Sequence, residues 1–106
     1  MAKGKFLSKI EMTDQSFSIR ASEHAVERLT ERNVDAYTAT AAVIALGEAV
    51  LTDLQVTKDE AMIIDEDNGI AIVVGFRKHT CYIVTAMNKS RVFVKKGTRT
   101  YKLGDE

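Results

Sequence analysis

The dipeptide Asn68-Gly69 constrains the fold more than any other feature of the sequence. It stands between two apolar runs, Ala61-Met62-Ile63-Ile64 and Ile70 to Phe76. Asn-Gly tolerates the positive φ of a tight turn, so the two runs read as the strands of one hairpin. Ile70 to Phe76 (IAIVVGF) is the most apolar run and predicts a central strand. Arg77-Lys78-His79 turns the chain into Thr80 to Ala86 (TCYIVTA), a further strand, and Met87 to Ser90 turns again. Val92-Phe93-Val94 alternates with Arg91 and Lys95. Lys96-Gly97-Thr98 leads into a last short strand with Tyr101 and Leu103. Strands in succession joined by tight turns predict an antiparallel meander.

The first half is built differently. Ser16 to Arg20 alternates apolar and polar residues and reads as a short strand. Ser22 fits an N-cap, with Glu23 in the favoured acidic first turn of a helix that runs to about Asn33. Asp35 caps a second, alanine-rich helix over Ala36 to Leu46, which Gly47 stops. From Val50 the period changes to two, with Leu54 and Val56 alternating with Asp53, Gln55 and Thr57, and an extended segment is expected. Met1 to Gln15 is assigned no element and reads as a flexible N-terminal segment before a single domain over residues 16–104. The predicted class is α+β: a short N-terminal strand and two helices packed on a four- to five-stranded antiparallel meander.

The 106 residues suffice for one domain, and 45% hydrophobic residues supply one core. Fifteen basic and fifteen acidic residues give a formal net charge of zero, which disfavours a uniformly basic nucleic-acid binder. The zero conceals a segregation. Residues 21–67 carry three basic and eleven acidic residues, a balance of −8; residues 68–104 carry eight basic and no acidic residues, a balance of +8. Cys81 is the single cysteine and lies in an apolar run, as a small buried hydrophobe would. It permits no internal disulfide and fits a reducing, cytoplasmic setting. No targeting segment and no apolar run of bilayer-spanning length is visible, so no membrane partner is expected. Two histidines and one cysteine, far apart in the sequence, lack metal-ligand spacing, and no fingerprint of a cofactor loop is present.

His24, Arg28 and Arg32 stand four residues apart on one face of the first helix. An imidazole titrates near neutrality, and a guanidinium holds phosphate oxygens in a fixed fork. Attack of a ribose 2′-hydroxyl on its phosphate needs such groups. The same residues also fit a solvated helix face, with Arg28 and Arg32 paired to Glu23, Glu27 or Glu31. The basic second half interleaves Arg77, Lys89, Arg91 and their neighbours with Tyr82, Phe93 and Tyr101, a pattern that suits single-stranded RNA. Alternatively, the basic half neutralises the acidic half internally, or either half meets a protein partner of opposite charge.

The stretch Phe17 to Val34, with Ser22-Glu23-His24-Ala25-Val26-Glu27-Arg28 and Arg32 four residues on, resembles the opening of a family of small bacterial and phage domains of uncharacterised function. Ile70 to Val74 and Tyr82 to Ala86 look like that family's strands, and the resemblance extends to about Lys102. The family is similar to the barnase, EndoU, colicin and RelE-like ribonuclease superfamily, many of whose members are metal-independent toxins. The resemblance implies His24 as the acid–base group, Arg28 as the phosphate clamp and Thr85 as a strand-borne hydroxyl facing the same cleft. Arg32 would be a supporting cation; in the basic, aromatic-interleaved second half Arg77, Lys89, Arg91 and Tyr101 are the residues expected to hold RNA. The function so implied is cleavage of RNA by general acid–base transesterification, with RNA and a cognate antitoxin as partners. The alternative is a catalytically silent module of a phage or mobile element that binds a host or cognate protein or forms a homo-oligomer.

Overall fold

Apolar runs at periods of two and three to four resolve into six strands and three helices in a computed structural model that describes residues 4–13, 15–92, 94 and 98–103. In chain order these are β1 (Lys5–Glu11), β2 (Ser16–Ala21), α1 (Glu23–Glu31), α2 (Ala36–Ala45), α3 (Glu48–Thr57), β3 (Ala61–Asp65), β4 (Ile70–Arg77), β5 (Thr80–Met87) and β6 (Arg99–Leu103). The strands form one sheet in the order β1-β2-β5-β4-β3-β6. The class is α+β.

The hairpin signals place β3, β4 and β5 as a true antiparallel meander. Gly69 takes the positive φ of the β3–β4 turn, and Asp65 accepts from the Asn68 backbone and side chain. The sheet as a whole is mixed, which corrects the purely antiparallel expectation. β2 runs parallel to β5, and β6 runs parallel to β3. Successive strands that run in the same direction need long crossovers. Here residues 22–60 carry the chain from β2 to β3, and residues 88–98 carry it from β5 to β6.

Helix boundaries follow their caps. The Ser22 hydroxyl accepts from Ala25 N at 3.0 Å and Asp35 accepts from Thr38 N at 3.3 Å. α1 ends in a Schellman motif: Asn33 takes φ 56°, Asn33 N donates to Thr30 O, and Val34 N donates to Leu29 O. Buried Leu29 and Val34 belong to the same core as that turn.

Three expectations need correction. Residues 48–57 form helix α3, not an extended segment. Gly47, at φ 89°, both ends α2 and starts α3, and the two helices meet at 91°. Leu51 and Leu54 are 1% and 0% exposed, three residues apart on one helical face, while Val56 is 71% exposed. The alternation at Leu54 and Val56 was therefore coincidental. Within the segment expected to be unordered, Lys5–Glu11 forms edge strand β1, antiparallel to β2 with a bulge between Phe6 and Ser8. Val92 and Val94 belong to no strand, and Phe93, Lys95, Lys96 and Gly97 lie outside the described residues.

The main core lies between the helices and one sheet face. Phe17, Ile19, Ile63, Ile72, Val74 and Ile83 from the sheet meet Ala25, Leu29, Ala39, Val43, Leu51 and Leu54 from the helices. A smaller cluster on the other face joins Met62, Ile64 and Ala71, with Val73, Met87, Val92 and Val94 packed against it. Among the described residues no single helix is long and apolar enough to cross a membrane.

Candidate functional site

β5 outruns β2. Beyond Ala21, which pairs with Ile83, the edge of β5 would expose its carbonyls. α1 closes that edge. Ser22 N donates to Ile83 O at 3.0 Å, Ser22 Oγ donates to Val84 O at 3.4 Å, and Arg32 Nη1 donates to Ala86 O at 2.7 Å. Arg32 therefore ties the C-terminal end of α1 to the sheet. Arg28 points its Nη1 to Glu31 Oε1 at 2.7 Å, one of the helix-face pairings the sequence allows. An exposed pair of this kind contributes about 0.3–0.5 kcal/mol. His24 is exposed in the first turn.

Thr85 lies on the other side of the sheet. Val73 pairs with Thr85 and Val74 with Ile83, so Val84 is an extra residue, a bulge. Regular alternation from Cys81 and Ile83 would turn Thr85 toward the helices. The bulge inverts the phase: Ala86 enters the main core, and Thr85 sits opposite Val73 on the face of the smaller cluster. The structure thus keeps His24 and Arg28 together on α1 and separates Thr85 from them.

The proposed RNA contacts are also dispersed. Arg77 is exposed at the β4–β5 turn, while Lys89 and Arg91 are exposed past the opposite end of β5. The eight residues of β5 span roughly 23 Å at about 3.3 Å each. Tyr101, on β6, packs against the main core, and its hydroxyl accepts from Arg99 Nη1 at 3.4 Å. Arg99 in turn reaches Asp53 on α3 at 2.5 Å and Asp59 at 3.4 Å. The Asp53 hydrogen bond, followed by that to Tyr101, holds the Arg99 guanidinium above its usual pKa. Lys102 lies 3.6 Å from Glu66. These pairs join the basic segment to the acidic one, so part of the segregated charge is neutralised within the fold.

The chemistry of the remaining groups is limited. Burial pushes the Cys81 thiol up to about 12, which removes it as a nucleophile near neutral pH. Among the described residues no group of three or more His, Cys, Asp or Glu side chains is placed to hold a metal ion.

A concavity lies elsewhere, between β1 and α2. It is a groove of about 680 Å³ lined by Lys5, Phe6, Leu7, Ser8, Ala36, Tyr37, Thr40, Ala41, Ile44 and Ala45. Phe6 is 51% exposed, Tyr37 79% and Ile44 45%. A second groove, of about 400 Å³, adjoins it and reaches Val26, Leu29 and Asn33 of α1 and its C-terminal turn. His24, Arg28 and Thr85 line neither. α2 reads AYTATAAVIA and carries no charged residue. A helix packed on one side ordinarily shows charges on the other. The absence of charge from this helix is the sequence signal for the surface. No family model, no curated protein and no solved structure matches this chain.

Proposed function

We propose that the chain is a non-enzymatic protein-interaction module, working in the cytoplasm, that docks its partner on the outer face of α2 and the adjoining edge strand β1. The observation that carries this reading is the uncharged helix α2 with Tyr37 and Ile44 turned to solvent beside exposed Phe6. Large exposed apolar side chains gathered along one groove mark interaction sites. A single, buried cysteine supports the reducing compartment.

The test is affinity capture from cells that express the tagged chain, compared with Tyr37→Glu and Ile44→Glu, with folding checked by circular dichroism. Capture of a partner that is lost in the face variants and kept in His24→Ala supports the reading. Equal capture by all variants overturns it.

The ribonuclease reading has one favouring observation, the exposed His24 one helical turn from Arg28. It ranks second because Arg28 is engaged by Glu31 and Thr85 lies on the far sheet face.

A further inference from the structure

We infer that the partner for the α2–β1 surface is a second copy of this chain, related by a two-fold axis that passes near Ala41 and sets the two α2 helices antiparallel; this rests on the docking surface proposed above. The first argument is the shape of the helix face. Tyr37, Ala41, Ile44 and Ala45 follow one another at helical spacing, and all four are exposed. In an antiparallel contact centred on Ala41, the bulky Tyr37 of each copy lies over the small Ala45 of the other. Interaxial distance is set by the side chains at the crossing, and alanines there allow close approach.

The second argument is charge. α2 runs along the sheet edge in the same direction as β1. Its first residue, Ala36, shares both grooves with Lys5, and Glu48, just beyond its C-terminal end, accepts from Thr13 N at 3.2 Å and from Thr13 Oγ1 at 3.4 Å. This edge therefore carries Lys5 at one end and Glu48 at the other. Among the other described charges of this edge, Asp35 sits at the positive end of the α2 dipole and accepts from Thr38 N and Oγ1, and Glu11 lies 3.5 Å from Lys9. A two-fold contact brings each Lys5 to the Glu48 of the other copy, forming two complementary pairs at once, as an isologous interface requires. A parallel arrangement would set like charges together. The formal net charge of zero leaves no overall repulsion against self-association.

The experiment is sedimentation velocity of the purified full chain over a concentration series, with circular dichroism on each variant. The wild type is expected to dimerise. Ala41→Glu, which brings two carboxylates to the axis from an exposed position, is expected to weaken the dimer at least about tenfold with the fold intact. Lys5→Glu and Glu48→Lys should each weaken it, and the double exchange should restore it. A wild type that stays monomeric at every concentration overturns the inference, as does a dimer indifferent to Ala41→Glu. The two proposals fail separately. A monomer that captures another protein in a Tyr37-dependent way overturns the two-fold dimer and keeps the docking surface. A monomer that captures nothing overturns both.

Discussion

The Arg32 guanidinium donates to the Ala86 carbonyl at 2.7 Å and so fastens the end of α1 to the last turn of pairing on β5. Its partner atom lies just past the bulge at Val84, where β2 has already ended. A residue whose position suggested a phosphate ligand serves as a strut between helix and sheet.

Arg32→Ala should therefore cost stability. Hydrogen bonds to charged groups contribute about 1.5–3 kcal/mol, and removal leaves Ala86 O without its donor. Urea unfolding is expected to show a loss of that order, while His24→Ala shifts the midpoint hardly at all. Equal midpoints for Arg32→Ala and wild type would remove the strut.

Leu54→Ala and Val56→Ala separate helix α3 from an extended segment. Leu54 is fully buried and Val56 is 71% exposed. The first substitution should cost about 2–5 kcal/mol by creating a core cavity. The second should stay within about 0.5 kcal/mol, as surface changes do. An alternating strand with both side chains on one face would show comparable losses, and thermal unfolding decides.

Cys81 makes stability depend on alkaline pH. Its folded thiol is raised from an ordinary 9.0 to about 12 by burial, so the folded state holds its proton where the unfolded state has lost it. Fewer protons bound in the unfolded state mean that stability falls as pH rises through this window, and is fully present below 9. Denaturation midpoints between pH 8 and 11 should decline less steeply in Cys81→Ala than in the wild type, after allowing for that variant's lower starting stability. A native thiol that alkylates readily at pH 8 would contradict the burial.

Purified protein is expected to leave single-stranded RNA intact. Thr85 lies on the other face of the sheet from His24 and Arg28, and Arg28 is paired with Glu31. Cleavage monitored on a labelled oligonucleotide, present in the wild type and absent in His24→Ala, would reverse the ranking of the two functional readings.

Local signals were readable in the sequence. Ser22 and Asp35 cap their helices as expected, Gly69 turns the β3–β4 hairpin, and β6 contains Tyr101 and Leu103. Non-local pairing was not readable: nothing near Phe17 or Cys81 announces that β2 will lie parallel to β5. The helical period at Val50, Leu51 and Leu54 was masked by Val56, an apolar residue left in solvent. At the candidate site the obstacle was one residue. Strand periodicity is an even–odd count, and Val84 adds one, so Thr85 faces the reverse of what counting predicts. The α2–β1 groove depended on β1 being a strand at all, and its alternation is broken by the bulge at Leu7.

The contacts of Arg99 with Asp53 and Asp59, and of Lys102 with Glu66, bear on how the last strand finds its place. A five-residue strand can extend the sheet at either margin. One margin, β1, carries Lys5 and a Lys9 paired with Glu11; the other, beside β3, offers the carboxylates of Asp53, Asp59 and Glu66. A strand bearing Arg99 and Lys102 finds opposite charge at the second and little at the first. Each contact is weak on its own, and their sign favours the margin beside β3. The uneven distribution of charge along the chain then serves as an address label for β6.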